Sequence, residues 1–425
     1  MVTLPKALQT QTVNSFKSAS TSIHSNDLIA YLPQVCHVVA SVNQNVGGPA
    51  LSVTSLAEAL TDHQIRSHLW TLNYANLGKQ LQPLNVNLHS YPATFLSQNF
   101  RGWQRTARQG LYQLAASQLN LIHNHGVWMF PNLYARQAAH RSNLPLVISP
   151  RGMLEAWSLQ HSQSRKWLAW HLYERKNLSS ATLFHATSTM EAASIRQVGL
   201  QQPIAIIPNG VTIPAIDTIP PREVLTQKFP SLANKRWLLF LSRLHPKKGL
   251  DMLIQVWKTL ADQFPDWQLV IAGPDLIGYQ ATLATQVEEL HLQHRVTFTG
   301  MLIGEDKAAA LGNANLFILP SHSENFGIAV AESLAHAVPV ITTQGTPWQA
   351  VAESNCGWWI PSQSAALSET LLEAFQLSDH QRQAMGMNGR RFVASHYSWS
   401  AIAQSMSEVY RWILQGGAIP ECVQL

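Results

Sequence analysis

Short apolar runs alternate with stretches of helical length along nearly the whole chain, and the alternation runs through twice. "VCHVVAS", "HLWTL", "NLIHNHG", "PLVISPRG", "TLFHATS" and "PIAIIPNG" belong to the first series; "WLLFLSRL", "QLVIAGPD", "VTFTG", "LFILPS", "PVITT" and "GWWI" belong to the second. A strand apolar on both faces must be covered on both, and the intervening helices supply that cover. The pattern therefore predicts βα units in two successive parallel sheets of six or seven strands each. It leaves the strand order open. Between the series lies "IPAIDTIPPREV", whose prolines remove amide donors and favour extended backbone, as in a linker. A chain of 425 residues is also too long for one ordinary core.

The expected layout is a flexible tail over 1–28, an α/β domain over 29–213, a second over 214–395, and a final amphipathic helix within 396–425. That last helix either completes the second domain or crosses back to brace the first. In "SRKWLAWHLYERKNLSSA", the spacing of Trp167, Leu168, His171, Leu172 and Arg175 suits one packed face.

Charge excludes little but narrows the field. The 29 Lys+Arg against 24 Asp+Glu give a formal +5, too mild and scattered to argue for nucleic acid. It suits an anionic small ligand or an anionic membrane surface. Three distant cysteines, with no CxxC, argue against a disulfide framework or a thiolate zinc site and favour a reducing compartment. With no apolar leader and no run of about 18 apolar residues, a cytoplasmic or peripherally attached protein is expected.

Open α/β sheets bind ligands beyond the carboxyl ends of their strands, so the residues following each strand are the candidates. After "WLLFLS", Arg243, Lys247 and Lys248 precede a helix beginning near Gly249 and Asp251. Cations at a helix N-terminus suit a diphosphate, a solvated basic loop being the alternative. Gly47 and Gly48, after "CHVVASVNQN", allow either a close backbone approach to a ligand or a plain tight turn. His123 and His125 share one face of "LIHNHG". His123 reads as a satisfied core residue, and His125, nearer the strand end, as a group that could meet a substrate. No further metal ligands are obvious, so no metal is expected. Arg151 and Gly152 suit an anionic or hydroxyl-rich ligand, or else a structural Arg–Glu pair with Glu155. Ser188 or Thr189 with Glu191 reads as a helix cap, and Asn209-Gly210 as a turn at the hinge. In "SENFGIAVAES", Glu324 precedes a helix that carries Glu332, with Gly327 and free amides between them. Two carboxylates suit vicinal diols, which points to sugar or ribose hydroxyls. Helical geometry over eight residues would set them about 12 Å apart and about 80° around the axis, so they read as grips on two ends of one ligand.

Taken together, "GGPALSVTSLAEAL", "IHNHGVW", "PNGV", "SRLHPKKG", "PSHSENFGIAVAESLAHAVPVITT" and "YSWSAIAQSMSEVYRWIL" resemble the retaining GT-B glycosyltransferases of the large group 1 family, over roughly residues 36 to 415. "HNHGVWMFPN" with "SPRGML" looks like a bacterial subgroup that builds exopolysaccharide or lipopolysaccharide. The resemblance implies two Rossmann-like α/β/α domains facing a cleft, with the last helix crossing back. It implies a nucleoside-diphosphate sugar as co-substrate, UDP- or GDP-linked, a glycan or lipid-linked acceptor, and no other cofactor. Arg243 and Lys248 would clamp the diphosphate and Glu332 the ribose. Glu324, with the amides of Phe326, Gly327 and Ile328 beside Asn325, would hold the sugar. Gly47 and Gly48 would line the phosphate and acceptor side. His125 would face the reacting sugar, Arg151 and Gly152 would lie on the acceptor side, and Asn209 and Gly210 at the domain junction. A nucleotide-sugar-binding regulator without turnover, or a GT-B epimerase, is the alternative. Two departures put local turns in question: Ser242 where glycine is common before the Arg, and Ala337-Val338 where the family helix ends with glycine.

Overall fold

A computed structural model describes residues 32–160 and 163–425; the tail expected over 1–28 lies outside them. Two sheets organise the described chain. The first contains β1 (Gln34–Ser41), β2 (Arg66–Asn73), β3 (Asn87–Pro92), β4 (Leu121–His125), β5 (Leu146–Ser149), β6 (Leu183–Ala186) and β7 (Ile204–Ile206). The second contains β8 (Arg236–Leu241), β9 (Trp267–Ala272), β10 (Val296–Gly300), β11 (Leu316–Leu319), β12 (Val340–Thr343) and β13 (Gly357–Ile360). A short β14 (Val423–Gln424) returns to pair antiparallel with β7.

All twelve apolar runs picked from the sequence are strands. The first sheet nevertheless has eight strands rather than six or seven, because β3 and β14 join its edges. β3, "NLHSYP", is only half-buried and carries neither a continuous apolar run nor clean alternation. β14 is two residues long and is recruited by its position alone.

The sheet orders are β14-β7-β6-β5-β4-β1-β2-β3 and β10-β9-β8-β11-β12-β13. In each, the winding direction reverses once: between β1 and β4 in the first sheet, between β8 and β11 in the second. At such a reversal the following loops diverge to opposite faces and leave a crevice at the carboxyl ends of the strands. Val39 pairs with His125 at the first reversal and Phe317 with Leu239 at the second.

The last helix, Trp399–Gln415, crosses back. Its Ile402, Ala403, Met406, Val409 and Tyr410 pack with Leu56, Leu60, Leu121 and Val147, a layer of the first sheet. The amphipathic stripe was legible in the sequence, but which surface it covers is a tertiary matter. One expectation fails. The stripe Trp167, Leu168, His171, Leu172 and Arg175 is not packed: Trp167 is 62% and Leu172 70% exposed. The buried side of that segment is instead Ala169, Glu174, Asn177 and Leu178.

Candidate functional site

At the second reversal, the loops after β8 and β11 interlock. Gly249 adopts φ 68 before the Leu250–Leu260 helix, and a side chain there would lie 2.3 Å from the Pro320 carbonyl oxygen. The His322 amide donates to Lys247 O at 2.8 Å, and Glu324 N donates to Gly345 O at 2.7 Å. Lys248 is thereby buried against Glu324, and the two form an ion pair. Burial lowers the ammonium's pKa, and Glu324 partly restores it. Arg243, by contrast, stands exposed in the same loop. The loop is built without glycine at 242: Ser242 N bonds to Ala272 O at 3.1 Å, and it is Gly273 that no side chain could replace, its Cβ position lying 1.8 Å from Ser242 O.

Gly327, at φ 77, opens the Ile328–Ala335 helix with no side-chain cap, leaving its first amides to a ligand or water. Trp348 Nε1 donates to Phe326 O, while the Phe326 ring packs against Trp348 and Tyr397. Phe326 thus pins the turn, and only its backbone faces the helix entrance. Glu332 lies on the second turn, as its spacing implied. Its Oε1 takes Lys307 Nζ at 2.7 Å, and its Oε2 is buried without a partner. Lys307 was not singled out in the sequence, since "GEDKAAALGNAN" reads as an ordinary surface helix. The Ile328–Ala335 helix ends conventionally in a left-handed residue, with Ala337 at φ 59 doing what glycine would do more cheaply.

At the first reversal, histidines gather. Arg151 donates to His125 Nδ1 at 3.1 Å, to Asn209 Oδ1 at 2.5 Å and to Ser52 Oγ at 3.5 Å. A guanidinium can only donate, so His125 Nδ1 accepts and its proton sits on Nε2, 3.0 Å from His37 Nδ1. His37 then carries its proton on Nε2, which is buried and unpartnered. A second chain runs from the other end. The Ile207 carbonyl, 2.8 Å from His185 Nε2, fixes that proton; His185 Nδ1 then accepts from His123 Nε2 at 3.4 Å, and His123 Nδ1 accepts from Tyr410 OH at 2.6 Å. Both chains require neutral rings. Burial pushes His37 and His185 down to about 3 and drives His123 and His125 well below their usual value. His123 is therefore the satisfied core residue expected, with a partner on the last helix. His125 is nearly as buried, and both of its nitrogens are engaged beneath Arg151.

His37, His123 and His125 place nitrogen atoms within 4.8 Å of one another, a grouping invisible in the sequence because His37 comes from another strand. Their donor set fits a divalent cation poorly. All but His37 Nε2 of these nitrogens already have partners, and a buried Arg151 charge lies against the cluster.

Gly47, at φ 89, and Gly48 begin the Gly48–Thr61 helix, which also lacks a side-chain cap. A Cβ at either position meets nothing within 4 Å, so open space lies before this N-terminus. Ser52 of the same helix is its link to Arg151. Gly210 sits beneath Trp399, whose ring lies 2.4 Å from where a Cβ would be, and Val211 N bonds to Tyr397 O at 2.7 Å.

Contacts also cross between the two sheets' loops. Glu155 receives Lys247 Nζ at 3.3 Å and Ser323 Oγ at 3.2 Å, so the alternative of an Arg151–Glu155 pair is not realised. Asn325 Nδ2 donates to Thr187 Oγ1 at 2.8 Å, and a Cβ on Gly152 would lie 2.9 Å from Asn325 Cβ. Glu191 does more than sit in a capped first turn. Ser188 Oγ accepts the Glu191 amide at 3.1 Å, and the Glu191 carboxylate accepts Gly152 N at 2.6 Å and Thr187 N at 2.8 Å. One buried carboxylate thus orders both loops that meet the second sheet.

Two family profiles tile this architecture: "Glycosyl transferase 4-like domain" matches residues 47–210 and "Glycosyl transferases group 1" matches 221–392. The phosphatidyl-myo-inositol mannosyltransferase of Mycobacterium leprae is 29% identical over 216 residues, 50% of this chain and 54% of that protein. The uncharacterised glycosyltransferase YqgM of Bacillus subtilis is 26% identical over 318 residues, 71% of this chain and 80% of its own. The match thus spans about half of the first of these relatives and most of the second. Among solved structures, Anabaena HepE in complex with UDP and glucose superposes with TM-score 0.69 at 18% identity, covering 89% of this chain and 99% of HepE.

Proposed function

Since the chain belongs to the group 1 glycosyl transferases and has their GT-B fold, we propose that it transfers a sugar, with retention of anomeric configuration, from a nucleoside-diphosphate donor to a hydroxyl of a glycan or lipid-linked glycan. The observation that carries this reading is the second reversal. An exposed Arg243, a buried Lys248 ion-paired with Glu324, and an uncapped helix start at Gly327 converge on one crevice.

On this reading the donor diphosphate lies along Arg243 and Lys248. Glu324 fixes Lys248 before the reaction and the exposed Arg243 adds a second cation, so charge developing on the leaving group meets a preorganised partner without a divalent metal. Lys248 has three donor protons, so it can keep Glu324 and still bind a phosphate oxygen. Glu324, with the amides of Phe326, Gly327 and Ile328, takes the sugar hydroxyls, and Glu332 takes the ribose. Gly47 and Gly48 offer a second set of free amides across the cleft. The acceptor enters on the side of Arg151 and Gly152 and attacks from the face the leaving group departs, with a phosphate oxygen taking its proton. His125 can meet the sugar only if Arg151 swings off its Nδ1. Asn209 holds Arg151, and Asn325 spans to Thr187 and so contributes to closure as well as to the donor side. The junction at Asn209-Gly210 and the loops' mutual contacts are the natural place for domain closure, which would exclude water from the donor.

The complex of HepE with UDP and glucose makes UDP-glucose the first donor to try, with GDP-sugars next. Synthesis of exopolysaccharide or lipopolysaccharide is the setting we propose for it. Saturation-transfer NMR against UDP-, GDP- and ADP-sugars tests donor binding, with Arg243→Ala expected to weaken it at least about tenfold, as loss of a charged phosphate contact does. Glu324→Ala should bind nucleotide yet lose transfer. If no nucleotide sugar binds, the reading is wrong; if one binds and wild-type protein forms no glycoside, the regulator is left, and inversion of a donor hydroxyl would mark the epimerase.

Attachment to an anionic membrane is proposed with it. Between Asp62 and Asp217 the only acidic residues are Glu155, Glu174 and Glu191. Glu174 and Glu191 are buried, and Glu155 is paired with Lys247. Over the same span Phe95, Phe100, Trp167, Leu168 and Leu172 are exposed beside Arg101, Arg175 and Lys176. Aromatic residues with unopposed cations suit an interface of anionic headgroups.

A further inference from the structure

Glu332 is held in an unusual way. Lys307 Nζ lies 2.7 Å from its Oε1, both side chains being about three-quarters buried, while Oε2 is shut off from solvent with no partner at all. A buried, unpartnered carboxylate oxygen is costly, and its persistence points to a missing donor.

Three neighbouring charged or titratable groups have other contacts. His336, one turn along, turns its Nδ1 to the Glu332 main-chain oxygen at 2.7 Å, and burial lowers its pKa. Arg390 spends its guanidinium on the carbonyls of Ala335 and Pro214. Asp306, adjacent to Lys307, pairs outward with Lys228 at 2.7 Å. Lys307 is therefore the one cation paired with Glu332 among the described residues, and Glu332 the one carboxylate paired with Lys307.

We propose that Lys307, from the Gly304–Asn313 helix, is a positioning residue for the nucleotide ribose. It locks the Glu332 rotamer through Oε1 and leaves Oε2, the oxygen without a protein partner, to accept from a ribose hydroxyl once the nucleotide enters. This rests on the reading of Glu332 as the ribose ligand. The arrangement divides labour between two lysine–glutamate pairs whose glutamates stand eight residues apart: Lys248 with Glu324 at the phosphate and sugar end, Lys307 with Glu332 at the nucleoside end. Without Lys307 the carboxylate would turn to solvent, and the hydroxyl would lose a positioned acceptor.

The test is calorimetric binding of UDP and GDP beside their 2′-deoxy and 3′-deoxy forms, to wild type, Lys307→Met, Lys307→Arg and Glu332→Gln. Wild type should prefer the ribonucleotide over at least one deoxy form by about tenfold or more, as for one charged hydrogen bond. In Lys307→Met that preference should shrink to about twofold while affinity for the deoxy form hardly moves; a general loss of structure would weaken both equally. Lys307→Arg should recover most of the preference. At saturating donor, kcat of Lys307→Met should stay within about threefold of wild type, the loss falling on KM. Lys307→Met retaining the wild-type preference, or weakening ribo and deoxy forms alike, overturns the role of Lys307 and leaves Glu332 intact. A wild type that does not discriminate, or a Glu332→Gln that still does, overturns the ribose assignment itself.

Discussion

Ala337 shows how a single residue carries a cost that the family pattern avoids. Its φ of 59 is a left-handed conformation costing an L-residue about 1–2 kcal/mol, which a glycine escapes. Glycine would also loosen the unfolded chain, returning about 0.4–1 kcal/mol of that gain. Ala337→Gly is accordingly expected to stabilise the protein by about 0.5–1 kcal/mol. Urea unfolding followed by tryptophan fluorescence checks it, and a lower midpoint would show that the methyl group contributes packing that outweighs the strain. Gly210, Gly249 and Gly273 are the opposite case: each lies where another group already occupies the position of a side chain. Nothing in the local sequence separates these glycines from Gly47, whose surroundings are open.

Among the elements, β1, β4, β6 and the last helix are joined by buried imidazoles. His37, His123, His125 and His185 are all neutral in the folded protein, with folded pKa values pushed below 6.5 by burial and by the neighbouring Arg151 charge. The unfolded chain therefore binds more protons than the folded one between pH 6.5 and the depressed values near 3. The stability these rings contribute is fully present above pH 6.5 and is lost as pH falls through that window, by up to about 1.4 kcal/mol per pH unit for each ring. Glu155 and Glu174, raised by burial, act with the opposite sign but are only two. Unfolding midpoints should be nearly constant from pH 8 to 7 and fall steeply from pH 6 to 5. A flat profile down to pH 5 would mean that these rings are charged or solvated. His185→Gln, which keeps an amide toward Ile207 O but cannot titrate, should flatten the slope.

At the scale of the whole molecule, the distribution of charge and exposed aromatic residues matters more than the net +5. Residues 63–216 of the half built on the first sheet carry only three acids, two of them buried and the third paired with Lys247, while Trp167 and Leu172 stand exposed. No helix among the described residues is long and apolar enough to cross a bilayer. Co-sedimentation with vesicles of phosphatidylcholine containing about 30% phosphatidylglycerol should recover the protein at low salt. Pure phosphatidylcholine should not, because each cation near an anionic surface contributes about 1 kcal/mol. Trp167→Ser with Leu172→Ser should reduce binding at least about fivefold. Equal recovery on neutral vesicles, or none on either, would remove the membrane assignment.

What the sequence determined by itself was local: twelve apolar runs became strands, the proline-rich stretch separated two series, and the E-x7-E segment became a loop and helix carrying Glu324 and Glu332. Such features follow from residue type and period, which act over a few residues. Distance along the chain hides everything else. His37 meets His125 and Lys307 meets Glu332 only because sheet order makes neighbours of separate strands and helices. Tyr410 reaches His123 only because the last helix crosses back. The exposed Trp167 stripe is the same lesson reversed, for an amphipathic period records that two faces differ, and only the folded chain decides which one is covered. Glu324 and Glu332 stood in the sequence as two carboxylates on one segment; the fold gave each a lysine.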